Sequence, residues 1–124
     1  MSGAIHALTV YHSDKNPSTP TIIELSDLQG ESIERFREIA MWHVLDDRKF
    51  LIIEIRALDN IDAAGIRALA SVVAVADEFG CKVGLVAHGF DSADGLKVAQ
   101  LQRMLTVFPT LHASLHWMHQ SGAA

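Results

Sequence analysis

Apolar residues follow a strand-like pattern in some segments and recur at helical spacing in others, and this pattern predicts strands and helices in alternation. Residues 5–12 and 21–28 are rich in aliphatic and β-branched side chains, and the turn-forming segment 14–20 separates them. These two segments are therefore predicted to pair as a hairpin. Residues 50–57 and 81–87 are almost continuously apolar, as expected for strands of a sheet that is covered on both faces.

Three helices are predicted between and after these strands. In residues 31–45 the apolar side chains recur at helical spacing, and two glutamates in the first turn suit the positive end of the helix dipole. A second helix covers about residues 64–79 and ends at Gly80, a residue type suited to the left-handed backbone at a helix C terminus. A third helix is predicted over about residues 92–107, capped by Asp91. The apolar stripe of this third helix consists of Val98, Leu101, Leu105 and Phe108.

The C-terminal segment is predicted to form a last, half-buried strand. Its apolar residues alternate with polar ones: Leu111, Ala113, Leu115 and Trp117 with His112, Ser114 and His116. The resulting order, β-β-α-β-α-β-α-β, indicates an α/β fold with a mixed, mostly parallel sheet of four or five strands and three or four helices. Residues 1–124 are predicted to be a single domain, because this length suits one domain.

Composition and charge exclude several function classes. With 49% apolar and 20% charged residues, the chain is typical of a globular protein. Its net charge is −5 and its basic residues are scattered, so no nucleic-acid partner is expected. We expect no direct membrane insertion, because no apolar run is long enough to cross a bilayer and the N terminus lacks a signal-peptide pattern. A lone Cys81 offers no disulfide partner, which fits a cytoplasmic protein.

Candidate catalytic and metal-binding groups do not form a recognisable site. His112, His116 and His119 have the helical spacing of a zinc site, but the apolar residues in this segment alternate with period two and favour a strand, so no metal site is expected. The eight glycines form no phosphate-binding loop, and no nucleophile elbow occurs. Cys81 begins a buried strand, where an inert thiol is usual. We therefore expect no cofactor and no enzymatic activity.

Residues 50–89 resemble the central part of STAS domains, the family of the anti-sigma factor antagonists, and the resemblance extends by pattern over roughly residues 21–108. In that family a buried strand leads into a loop reading Asp-Ser-Ser/Thr-Gly, followed by a helix, a glycine and a second buried strand. Asp62 and Gly65 stand at the matching loop positions. Two alanines replace the hydroxyl residues, and Ala64 occupies the position of the serine that is phosphorylated in the family. The resemblance thus implies a STAS-like domain that is not phosphorylated there, with the family's long C-terminal helix reduced or absent.

The loop can also be interpreted from its residues alone. Asp62 follows a strand and precedes a helix, so its carboxylate is predicted to accept a hydrogen bond from the amide of Ala64 or Gly65. Gly65 permits a close backbone approach. One interpretation is that Asp62 is only a helix cap. The resemblance implies instead a partner-binding surface, which comprises Asn60, Asp62, Ala63, Ala64 and Gly65, with Arg67 at its rim.

The second predicted helix has more apolar surface than a sheet alone would cover. On a helical wheel its apolar residues span about 220°, whereas a helix packed on a core needs a stripe of roughly 100°. Either the first helix covers the surplus, or the surplus is exposed and meets a partner or a second copy of the chain.

The resemblance implies a non-catalytic regulatory module whose partner is an anti-sigma factor with a kinase-like fold. One alternative is a STAS subunit that regulates a membrane transporter or a lipid-transport ATPase. Another is a small-ligand or enzyme domain with a pocket beside residues 58–65. A homodimer is a further alternative for the partner.

Overall fold

The computed structural model describes residues 8–11, 19–56, 58–88 and 95–122. They form five strands, four α-helices and one 3-10 turn. The strands are β1 (Leu8–Tyr11), β2 (Thr21–Leu25), β3 (Phe50–Ile55), β4 (Lys82–Ala87) and β5 (Thr106–Phe108). The helices are α1 (Glu31–Leu45), α2 (Ala63–Glu78), α3 (Gly95–Gln102) and α4 (Leu111–Gly122), and the 3-10 turn is Leu58–Asn60.

The strands form one sheet in the order β1-β2-β3-β4-β5. β1 pairs antiparallel with β2, with Val10 opposite Ile23, which confirms the predicted hairpin. The pairs β2–β3, β3–β4 and β4–β5 are all parallel. The predicted α/β fold with a mixed, mostly parallel sheet is therefore confirmed.

Helices lie on both faces of the sheet. α1, α2 and α3 cover one face, where side chains from alternate strand positions meet the buried stripes of the helices. The fully buried members of this main core include Ile23, Leu51, Ile53 and Leu85 from the sheet and Phe36, Val44, Leu69, Val72 and Leu101 from the helices. α4 covers the opposite face, where Trp117 packs against the cluster of Ile52, Val86 and Phe108.

The third helix is shorter than predicted, and of its proposed apolar stripe only Val98 and Leu101 lie on the helix and pack against the core. α3 ends at Gln102, and the next residues turn into β5, which pairs with β4. Leu105 and Phe108 therefore lie just before and within a strand instead of on a helix. The physical reason is that β4 gains a parallel neighbour, which satisfies backbone groups that a sheet edge would leave unpaired.

The predicted C-terminal strand is also wrong, because residues 111–122 form the helix α4. Thr110 directly precedes this helix, and its hydroxyl accepts a hydrogen bond from the amide of Ala113 at 3.1 Å. The helix buries Ser114 and Met118 against the sheet. The expectation that the C-terminal helix is reduced or absent is thereby corrected, since α4 has 12 residues.

Other boundaries agree more closely. β2 ends at Leu25, three residues before the predicted end, and α2 is followed by Gly80 at a φ of 74°, as its C-terminal position predicted. Some predictions lie outside the described residues, namely the strand positions 5–7 and 12, the loop positions 14–18 and the cap at Asp91.

Candidate functional site

The segment between β3 and α2 is anchored by two apolar side chains. Leu58 begins the 3-10 turn and Ile61 follows it, and both are almost fully buried. Ile61 also forms an isolated parallel bridge with Leu28. The pairing of β2 and β3 is thus resumed beyond the ends of both strands, and the loop is held against residues 26–28.

Asn60 also holds the loop against residues 26–28, through two hydrogen bonds. Its backbone carbonyl accepts a hydrogen bond from the amide of Leu28 at 2.8 Å. Its side-chain Nδ2 donates to the carbonyl of Ser26, also at 2.8 Å. The structure therefore places the predicted site residue Asn60 in the loop, but its amide group serves to position the loop.

Asp62 is the N-terminal cap of α2, as predicted. Its backbone is extended, with a φ of −95° and a ψ of −177°, and its Oδ1 accepts a hydrogen bond from the amide of Gly65 at 2.8 Å. This bond satisfies one of the amides that the first turn of a helix leaves without a partner. The residue as a whole is exposed, so the carboxylate caps the helix at the protein surface.

Gly65 lies where the first turn of α2 touches the segment that follows β2. A Cβ atom at this position would lie 2.2 Å from the carbonyl oxygen of Leu28 and 3.0 Å from the Cγ2 of Ile61. The predicted close backbone approach is therefore present, and a side chain here would force the two segments apart.

Lys97 holds the loop from the opposite side, a role that no sequence pattern indicates. Its ammonium group reaches from α3 and donates to the carbonyls of Leu58 at 3.0 Å and Ile61 at 2.7 Å. These residues are more than 30 positions apart in the chain. No local pattern predicts such a contact, because it depends on how α3 packs.

Three of the predicted site residues are presented at the start of α2. Asp62, Ala63 and Arg67 are exposed. Ala63 and Arg67 are four positions apart on the helix, so their side chains are neighbours on one face. Ala64 is half-buried and packs against the main core. The exposed surface formed by Asp62, Ala63 and Arg67 is called the α2 entry surface below.

Much of the wide apolar arc of α2 is covered. Ile66, Val73 and Val75 are partly buried and pack against the core cluster to which α1 contributes. Phe79, directly after the helix, is 49% exposed. The first helix therefore accounts for much of the surplus, and Phe79 is the large apolar side chain left at the surface of this region.

The groups considered for metal binding and covalent chemistry do not gather at the loop. Among the described residues, no group of three or more His, Cys, Asp or Glu side chains is arranged to hold a metal ion. Cys81 is a buried free thiol, and desolvation by burial raises its pKa to about 11. Such a thiol is a weak nucleophile near neutral pH.

Two surface cavities lie away from the loop. One, of about 620 Å³, is lined by Val10, Glu38, Ile39, Trp42 and His43 between β1 and α1. The other, of about 450 Å³, is lined by residues 102–107. Neither is lined by residues 58–65.

No helix within the described ranges has the length and apolar character needed to cross a membrane.

Comparison with known proteins adds a family and several structural relatives. The family profile described as the STAS domain matches residues 13–114. No curated protein sequence matches the chain at the significance required.

Solved structures resemble this chain over most of its length. An anti-sigma factor antagonist from Mycobacterium paratuberculosis is 16% identical with a TM-score of 0.69, covering 91% of this chain and 95% of that one. A variant of RsbS from Moorella thermoacetica is 16% identical with a TM-score of 0.73, covering 94% and 98%. The structure of SLC26A9 is 19% identical with a TM-score of 0.62, covering 84% of this chain but 20% of that one. At these identities the likeness shows a shared fold.

Proposed function

The chain belongs to the STAS domain family, and from this we propose that it is a non-catalytic regulatory module that binds a protein partner through the α2 entry surface. The proposed partner is an anti-sigma factor with a kinase-like fold, and the proposed setting is the cytoplasm. The fold shared with an anti-sigma factor antagonist supports this choice of partner. Asn60, Ala64 and Gly65 complete the proposed site by positioning the exposed residues.

The observation that carries the proposal is the fixed backbone beneath an exposed surface. Asn60 and Leu28 hold the loop on one side, and Lys97 holds it on the other. A surface that is already ordered loses little conformational entropy when a partner binds. Binding residues are commonly carried on loops that a rigid scaffold positions.

We further propose that this module is not switched by phosphorylation at the loop. Residues 60–67 contain no hydroxyl side chain, and Ala64 is the second residue of α2. A phosphate at this place would add about −1.5 to −2 charges to the start of the helix. Without an acceptor hydroxyl, binding is constitutive or is controlled by protein supply, another modification or another subunit.

The site can be tested once affinity capture from the native cell has identified the partner by mass spectrometry. The double variant Ala63→Glu/Arg67→Glu changes two exposed side chains and leaves the loop contacts intact. We expect its affinity for the partner to fall at least about tenfold, the equivalent of about 1.4 kcal/mol. Lys82→Glu is the matched control, because Lys82 is exposed at the start of β4, at the opposite end of the parallel strands. Unchanged affinity in a folded double variant would place the interface elsewhere.

The absence of a phosphorylation switch has its own experiment. Incubation with the cognate kinase and ATP should leave the complex of the wild-type chain intact. In Ala64→Ser the same treatment should phosphorylate Ser at the loop and weaken the complex, and Ala64→Asp should weaken it without kinase. Release of the wild-type chain by kinase and ATP would contradict constitutive binding and require a controlling residue elsewhere.

A second candidate function is regulation of a membrane transporter. It is favoured by the resemblance to one fifth of the SLC26A9 chain, which shows that this fold also occurs within a larger protein. The same capture experiment separates the two candidates, since recovery of a transporter component instead of an anti-sigma factor would favour the second.

A further inference from the structure

Three histidines of α4 share one exposed stripe. His112, His116 and His119 are all exposed. At 100° per residue their positions on the helical wheel fall within about 60° of one another. This arrangement exists only because residues 111–122 are helical, since in a strand His112 and His116 would lie about 13 Å apart and His119 would point to the opposite face of the sheet.

The spacing places two pairs of imidazoles within chelating reach of one ion. His112 and His116 are separated by four residues and a rise of about 6 Å, and His116 and His119 by three residues and about 4.5 Å. Side chains three or four positions apart on a helix are neighbours. His112 and His119 are about 10 Å apart along the axis, nearly two turns of the helix, so they are not neighbours in the way that residues three or four positions apart are. His116 is therefore the ligand that both pairs share.

The rest of α4 holds this stripe in place and contributes no charged side chain of its own. On the other side of the helix, Ser114 and Met118 are buried, and Trp117 packs against Phe108 with ring centroids 5.2 Å apart. The segment LHASLHWMHQSG contains no Asp, Glu, Lys or Arg. The backbone is thus ordered before an ion binds, and no ammonium or guanidinium group on α4 repels a cation.

From these observations we propose that α4 carries a surface site for a divalent transition-metal ion that prefers imidazole ligands, namely Zn²⁺, Ni²⁺ or Cu²⁺. The ion is chelated by His116 together with either His112 or His119, and water or a group from another molecule fills the remaining positions. A chelating pair of this kind needs two protein ligands, so it is compatible with the lack of a three-residue cluster. The site is independent of the proposed partner-binding surface.

The test is isothermal titration calorimetry of the untagged chain with Zn²⁺ and Ni²⁺, with Mg²⁺ as the control ion because it prefers oxygen ligands. We expect one Zn²⁺ or Ni²⁺ per chain and no binding of Mg²⁺. His116→Gln should weaken binding by about a hundredfold, because it removes the tethered second ligand from both pairs. His112→Gln and His119→Gln should each weaken it by only about twofold, since one pair remains, and the double variant should match His116→Gln.

His88→Gln is the matched control, because His88 is partly exposed but lies at the end of β4, where it pairs with Glu54. It should bind as the wild type does. The proposal is overturned if the wild type binds neither ion, if His116→Gln binds as tightly as the wild type, or if His88→Gln accounts for the loss. Far-UV circular dichroism of each variant confirms that the exposed substitutions leave the fold unchanged.

Discussion

Replacing Gly65 by alanine tests the contact that joins the start of α2 to the segment that follows β2. The added Cβ would lie 2.2 Å from the carbonyl oxygen of Leu28, whereas ordinary contacts begin at 3.4 Å. The backbone of residue 28 cannot move freely, because its amide donates to Asn60 at 2.8 Å and its carbonyl accepts from the amide of Asp62 at 3.4 Å. The substitution must therefore distort backbone on both sides of the loop.

The expected cost can be assembled from these contacts. Overpacking of this kind costs about 1–3 kcal/mol, and loosening the two hydrogen bonds adds about 1 kcal/mol. The higher helix propensity of alanine returns up to about 1 kcal/mol. We expect Gly65→Ala to lower the free energy of unfolding by about 1–4 kcal/mol, and the middle of this range corresponds to a fall in Tm of roughly 10 °C at this chain length.

Urea denaturation followed by far-UV circular dichroism measures this change. Gly95→Ala is the matched control, because Gly95 also lies in a helix and a Cβ there would meet nothing within 4 Å. The control should be neutral or slightly stabilising. If Gly65→Ala is as stable as the wild type or more stable, the close approach between the two segments does not exist in solution.

Three further changes probe the remaining contacts. Asp62→Ala should lower the free energy of unfolding by about 1 kcal/mol in urea denaturation, while Asp62→Asn, which can still cap, should cost less. Lys97→Met should speed hydrogen exchange at the amides of the loop, whereas the exposed Lys49→Met should not; equal exchange in both would show that Lys97 does not hold the loop. The raised pKa of Cys81, about 11, predicts slow alkylation by iodoacetamide at pH 8 until urea unfolds the chain. Because the unfolded thiol loses its proton first, stability should fall as the pH rises from about 9 to 11, and a pH-independent free energy of unfolding across that range would refute this.

The elements with strong and regular hydrophobic patterns were predicted well from the sequence. α1 occupies Glu31–Leu45 as predicted, because its apolar residues at helical spacing face the core. β3 and β4 are the buried central strands that their continuous apolar runs indicated. The cap at Asp62 and the close approach at Gly65 were also predicted, since both follow from residue types at a strand-to-helix junction.

The C-terminal third was predicted less well, because its patterns fit two structures. Residues 111–117 alternate with period two, but the helix buries Ser114 and Met118, a pair at positions i and i+4. Thr110 directly before this segment is the signal that favours a helix, since a threonine there can cap it. For β5, the run of Thr106, Val107 and Phe108 has high strand propensity. A signal of three residues is weaker than the longer helical spacing of apolar residues that predicts a helix over the same positions.

The contacts that hold the backbone of the loop are distinct from the side chain at which a phosphate would be attached. The bonds made by Asn60, Leu28 and Lys97 hold its backbone, and none of them uses the side chain of residue 64. The cap at Asp62 is likewise made to the amide of Gly65. A chain with alanine at position 64 therefore keeps the geometry of the α2 entry surface and has no hydroxyl at that position. The proposed binding surface and the proposed absence of a phosphorylation switch are compatible because they depend on different atoms.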